Sequence, residues 1–297
     1  MSETVVVAGA TGYVGRHVVA ALHERGHRVR ALVRSRERAE ADGAFGAPGL
    51  HGLVDEWRIV DYGRPRSISD VCEGADRVVS ALGVTRQKAS PWDVDFLGNL
   101  RVLEDAEQHG LASFAYVNVV HSDSGTSLTM RSKHAFSEVL RRGAVAPQLI
   151  NPSGYFSDVS DFLRLAQRGI GFMLGDGSAR LNPVHGADLA HFIVDRMTGP
   201  SGSWDVGGPD VFTYRELEEL VFRVAARRPR ILRVGTGTAH GIEWLADRGS
   251  PRVGNLARFF LESLAIDAVG EPIGQRRLEP YLLALADSAR QADLSSR

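Results

Sequence analysis

The sequence predicts an α/β fold of the doubly wound type, a parallel sheet with helices on both faces, followed by a smaller, mainly helical C-terminal lobe. Short β-branched runs alternate with stretches of helical periodicity through the first half of the chain. Those runs read as largely continuous apolar stretches, as in strands covered on both faces. Beyond Pro152 the alternation fades and helical spacing dominates.

Taken in order, strands are expected at 4–8, 28–34, 57–61, 77–81, 113–119 and 148–151. Val14, Val18 and Leu22 recur every four residues and define a helix that Gly26 stops. Val94, Leu97, Leu100, Val102 and Leu103 mark another before Gly110, and Ala135, Val139 and Leu140 a third before Gly143. Thr213 followed by Glu216 is a capping box that opens a helix containing Leu217, Leu220 and Val221. Gly175-Asp176-Gly177 and Gly207-Gly208-Pro209 read as turns. Residues 1–151 form the nucleotide-binding portion and 152–297 a C-terminal portion with the lobe, continuous with the same domain.

Composition narrows the function classes. With 43% hydrophobic and 24% charged residues the chain has a globular make-up. No apolar run approaches the roughly 20 residues of a membrane span. The apolar run from Val5 starts too near the terminus, and lacks the basic flank, for a secretion leader. A net charge of −1 argues against a nucleic-acid binder, leaving a small molecule as the expected partner. Cys72 is the single cysteine, which excludes an internal disulfide and fits a reducing, cytoplasmic setting. The 10 histidines show no metal-ligand spacing.

Gly9, Gly12 and Gly15 stand at three-residue spacing directly after the first strand, with Thr11, Tyr13 and Val14 between them. In a strand-turn-helix that spacing lets the backbone turn sharply, approach a pyrophosphate closely and aim helix amides at it. This is the Rossmann-type cofactor turn. A fold preferring NAD ends its second strand with a carboxylate for the ribose hydroxyls. Here that place reads Arg34-Ser35-Arg36, two guanidinium groups flanking a hydroxyl, which suits the 2′-phosphate of NADP(H). The alternative is a solvated basic start to the next helix.

The glycine turn is followed in order by Asp61, by Asn99 within 96–100, by the helix of Lys133, by 151–156, by 182–190 and by 206–209. From residue 4 to about 225 this series resembles the atypical short-chain dehydrogenase/reductase superfamily, near its NmrA-like and Ycf39-like NAD(P)H-binding groups. The resemblance implies that Asp61 with Tyr62 lies near the adenine and that Ala81, Leu82 and Gly83 run beside the cofactor. It further implies that Lys133 reaches the nicotinamide ribose and that Pro152 through Tyr155 passes the nicotinamide. Standard members carry a tyrosine four residues before the lysine as general acid/base. In this sequence Thr129 stands there, and an aliphatic hydroxyl is far too weak an acid to replace a phenol.

Ser122 is then a candidate to orient a substrate carbonyl, and His121 or Tyr155 to supply a proton. Alternatively His121 is a loop residue and Tyr155 a packing residue; His185 and Asp188 read as capping the helix they open. The substrate pocket is expected beyond the strand ends, lined by 85–92, 121–128, Phe156, Phe162 and Met173. Its apolar lining points to a hydrophobic carbonyl or unsaturated compound, reduced at the expense of NADPH. A cofactor-binding redox sensor and a redox-neutral epimerase or dehydratase are the alternatives. Lys88 and Lys133 are the only lysines, which singles out the second because it falls at the superfamily's catalytic position.

Overall fold

The computed structural model describes residues 2–84, 89–235 and 251–295. Two compact units are present: residues 1–151 with 186–204, and residues 152–185 with 205–297.

The first unit is a parallel sheet. β1 (Thr4–Ala8), β2 (Arg28–Val33), β3 (Glu56–Ile59), β4 (Arg77–Ser80), β5 (Ser113–Val117) and β6 (Ala146–Pro152) lie in the spatial order β6-β5-β4-β1-β2-β3. The strands end one or two residues earlier than the sequence implies at 34, 61, 81 and 119, because the backbone there leaves the ladder for loops. Val5 pairs with Val29 on one side and Arg77 on the other, and Tyr116 with Leu149. β1 is thus where the winding reverses, the point at which such sheets bind ligands beyond their strand ends. Val6, Val78, Phe114, Tyr116 and Leu149 are buried in one core cluster with Leu103 and Phe136 from the helices.

α1 (Tyr13–Glu24) carries Val14, Val18 and Leu22 inward and stops before Gly26, whose φ of 75° is left-handed. α2 (Arg36–Glu40) is one short turn capped by Ser35, whose side chain accepts from the Arg38 amide. The helix expected around 94–103 divides: Trp92–Gly98 is π-helical and α3 (Asn99–Gln108) is regular. A π turn widens the ladder and re-aims side chains, a device frequent at functional sites. α4 (Leu128–Arg142) is capped by Ser127 and ends at Gly143.

The chain then builds part of the second unit with α5 (Phe156–Gln167), β7 (Gly171–Leu174) and β8 (Arg180–Leu181), and returns to the first as α6 (Gly186–Met197). Gly186 permits that return: a side chain there would overlap Tyr13 and His17 of α1, and its amide donates to the Tyr13 hydroxyl at 3.1 Å. β9 (Gly202–Gly207) adjoins β6 and runs from the first unit into the second.

The second unit continues with β10 (Phe212–Thr213), α7 (Tyr214–Ala225), β11 (Ile231–Val234), α8 (Pro251–Ala265), β12 (Glu271–Pro272) and α9 (Leu278–Ser295). Its helices are joined by small ladders that the sequence does not announce, β7 with β11, β8 with β10 and β12 with β9. The capping box forms as expected, with Thr213 and Glu216 bonded reciprocally. Gly207 is a correction: it ends β9 rather than turning. The buried Asn182 amide lies where a Cβ on Gly207 would be, 2.1 Å from its Oδ1, and also bonds the Gly208 and Gly270 carbonyls.

Candidate functional site

At the end of β1 the chain turns through Gly9, whose φ of 74° is left-handed, and the Gly12 amide donates back to the Gly9 carbonyl at 3.0 Å. A Cβ on Gly9 would fall 2.6 Å from the Ala81 carbonyl oxygen, and one on Gly15 would fall 2.1 Å from the Gly9 carbonyl. Those two glycines are required by packing. Gly12 differs: its Cβ would meet only the Gly9 carbonyl, at 3.3 Å, so the space above it is open. Gly12 also caps α1 without a side chain, and no acidic residue enters the helix's first turn. An uncapped helix start, behind a glycine with open space, is the cradle a pyrophosphate requires.

Beyond β2, Arg34 is exposed and forms no hydrogen bond or ion pair with any described residue. Ser35 is committed to its cap. Arg36 is turned away toward Glu40, at 2.8 Å, and lies over the Trp57 ring. Of the three, Arg34 is the one whose side chain is not committed to a neighbour. Asp61 closes its own turn, accepting from the Gly63 amide at 3.0 Å and pairing with Arg64 at 3.3 Å. The Tyr62 hydroxyl is buried near the Gly9 amide; burial raises its pKa, while that amide and the Arg34 charge act to lower it.

Ala81, Leu82 and Gly83 leave β4 between two functional features. The Ala81 amide bonds the Ala8 carbonyl at 3.0 Å, beside the glycine turn. A Cβ on Gly83 would lie 3.3 Å from Lys133 Nζ and 3.0 Å from Asp95 Oδ1. Lys133 pairs with Asp95 at 3.2 Å, donates to the Val117 carbonyl at 3.4 Å and sits over the Tyr116 ring. Asp95 is fully buried on the π-helical turn and accepts from the Val84 amide at 2.9 Å. Burial raises the carboxyl's pKa, opposed by Lys133 and the Val84 amide. Asn99 ties this corner together, donating to the Asp95 and Leu82 carbonyls and accepting from Ser80.

Asp95 is the residue that sequence reasoning missed. Its signal was an acidic residue between Val94 and Phe96, on the apolar side of a helical stretch. Thr129 stands one turn before Lys133 on α4 and is 7% exposed.

Ser122 is buried, its Oγ accepting from Asn118 Nδ2 at 2.9 Å, and the same amide donates to Asn151 Oδ1. His121 has a left-handed φ of 58° and its carbonyl accepts from the Ser124 amide. In the second unit, Pro152 ends β6 and Tyr155 precedes α5, its amide donating to Asp158 at 3.2 Å. His185 packs edge-on against Phe156 and Tyr281. Phe156, Phe162 and Met173 correct the expected pocket lining. They are 1%, 7% and 3% exposed, with Phe162 in a mutual ring cluster with Phe172 and Phe260, so they form the interior of this unit. Residues 85–88 of the expected lining, Lys88 included, lie outside the described residues.

The family match is described as NAD(P)H-binding and covers residues 9–200. Among curated proteins, the chloroplastic divinyl chlorophyllide a 8-vinyl-reductase of Zea mays is 27% identical over 82% of this chain. The chain spans only 65% of that relative's own length. The photosystem II assembly factor Ycf39 of Cyanophora paradoxa is 25% identical over 52% of this chain and 46% of its own. Among solved structures, an NADPH-dependent quinone oxidoreductase from Escherichia coli, complexed with NADPH, is 15% identical. It superposes with a TM-score of 0.73 over 95% of this chain and 99% of that one, a likeness of fold. Among the described residues no helix is long and apolar enough to cross a membrane.

Proposed function

Because the chain belongs to the NAD(P)H-binding family, within the atypical short-chain dehydrogenase/reductase group, we propose that it is an NADPH-dependent reductase of a small, apolar carbonyl or unsaturated compound. One observation carries the reading. The segment Ala81-Leu82-Gly83 touches the glycine turn at one end and Lys133 at the other, so a dinucleotide cradled by the turn has the lysine further along the same strand end. The vinyl reductase and quinone oxidoreductase relatives support a reduction.

In this reading the amides above Gly12 hold the pyrophosphate and Arg34 the 2′-phosphate. Lys133, paired with Asp95, bonds the nicotinamide ribose. Bound NADPH supplies the hydride. Ser122 receives a hydrogen bond from Asn118, which leaves its own hydrogen to donate to a substrate oxygen. His121 and Tyr155 remain the candidate proton sources. A second reading, a redox sensor without turnover, is favoured by Thr129: no tyrosine stands one turn before the lysine on α4, and the lysine is already paired with a carboxylate.

Fluorescence titration with NADPH and NADH, followed by single-turnover oxidation of NADPH against quinones, enones and aldehydes, tests both. NADPH is expected to bind more tightly, and Arg34→Ala to remove about 10- to 150-fold of that advantage. Equal affinity for the two cofactors sinks the NADPH assignment. Tight NADPH binding without oxidation by any of these acceptors favours the sensor.

A further inference from the structure

Arg16 follows the last glycine of the turn and is 5% exposed. Its guanidinium donates to five backbone carbonyls: Thr11 at 3.2 Å, Arg38 at 3.0 Å, Ala39 at 3.1 Å, Ala41 at 2.8 Å and Pro48 at 2.8 Å. Thr11 belongs to the glycine turn. The other four lie in or behind α2, the helix that Arg34 and Ser35 introduce. One side chain therefore bridges the two stretches of backbone that the NADPH reading assigns to the pyrophosphate and the 2′-phosphate.

The bridge needs arginine. A guanidinium carries five N–H donors in a rigid plane, whereas an ammonium has three and no fixed fork. Carbonyls satisfy those donors but do not neutralise the charge. Among the described residues no carboxylate stands within ion-pair distance of Arg16; Asp42 acts on it through space, and burial lowers the guanidinium's pKa. A buried cation balanced only by dipoles is costly unless an anion completes it.

We propose that Arg16 is the positioning residue for cofactor choice: it fixes the spacing between the glycine turn and the Arg34 segment, and thereby the preference for a 2′-phosphorylated dinucleotide. The proposal rests on the NADPH reading above. Its charge adds a pull on phosphate that Asp42 offsets only through space, without a salt bridge.

Arg16→Lys keeps the charge and loses the fork. Gly43→Ala perturbs the same bridge while keeping the arginine, since the new Cβ would fall 2.6 Å from Arg16 Cδ and 2.9 Å from the Ala47 Cβ. Gly43 has an ordinary extended backbone, φ −80° and ψ 161°, so alanine is conformationally allowed there. Affinities for NADPH and NADH are measured for both variants and the unmutated protein, with thermal melts to establish folding. Arg16→Lys is expected to cut the NADPH-over-NADH ratio by about tenfold while NADH affinity changes by less than about threefold. Gly43→Ala is expected to cut the ratio by about threefold.

A purely structural role would lower the melting temperature and leave the ratio intact in the folded variants, and that result overturns the proposal. If Arg16→Lys does not fold, Gly43→Ala decides alone. No cofactor preference in the unmutated protein overturns the NADPH reading and this proposal together. A preference that survives both variants overturns this proposal alone.

Discussion

The carboxyls of Asp95 in the first unit and Glu218 in the second are buried to similar depth, 0% and 2% exposed, and are held in opposite ways. Asp95 faces Lys133 at 3.2 Å and accepts the Val84 amide. Glu218, on α7, accepts the Phe172 amide at 3.3 Å with one oxygen. Its other oxygen has no hydrogen-bond partner, and it pairs with no cation among the described residues. Burial raises the pKa of Glu218 to about 7, with the Phe172 amide opposing. A carboxyl without a counter-charge takes a proton, whereas one beside an ammonium is drawn toward the ion pair. The first arrangement holds a lysine beside the loop that leaves β4; the second caps a short ladder inside a packed lobe.

The largest expected effect breaks the paired case. Asp95→Ala leaves the Lys133 ammonium and the Val84 amide without their partner, so urea unfolding is expected to show a loss of about 3 to 5 kcal/mol. A loss under about 1 kcal/mol would mean that the pair is not holding this corner.

Glu218→Gln sharpens the unpaired case and carries a sign. The folded pKa is about 7 against an ordinary 4.5, so the folded state holds a proton that the unfolded chain has released between those values. Stability is full below about 4.5, falls as pH rises, and the loss is complete above about 7. Glutamine mimics the protonated form. The variant is therefore expected to exceed the unmutated protein by about 3 kcal/mol near pH 8 and to match it near pH 4.5, by urea melts at both values. A stability difference that does not change with pH would show that Glu218 is ionised in the fold.

The smallest effect on stability is expected for Lys133→Arg, which retains the charge facing Asp95: less than about 1 kcal/mol. Its consequence should appear in NADPH affinity, weakened about tenfold, because a planar guanidinium fits poorly where a Gly83 Cβ would already be 3.3 Å from Nζ. Unchanged affinity would return Lys133 to a structural role.

The same contrast governs what could be read in advance. Gly9, Gly12 and Gly15 lie close together in the chain, and the strand-turn-helix they create is local, so the turn was legible in the sequence. The place of Arg34, directly after β2, was legible too, since it follows from the end of a strand. Asp95 and Arg16 were not, because each acts on partners far along the chain. Asp95 also depends on a π turn within residues that read as an ordinary amphipathic helix. Phe162 and Met173 misled for a related reason: an apolar side chain has the same signature whether it lines a pocket or fills a core.

By itself the sequence determined the parallel sheet, the order of its strands along the chain and the cofactor turn. Those follow from hydrophobic periodicity and from glycines whose geometry is set by their immediate neighbours. Only the tertiary structure decided that Gly186–Trp204 packs with the first unit, that Lys133 has Asp95 as its counter-charge, and that Arg16 joins five carbonyls drawn from separate stretches of chain. These depend on which distant backbone atoms come to lie within about 3 Å of a buried charge, and desolvation makes such partners obligatory without encoding them in any local pattern.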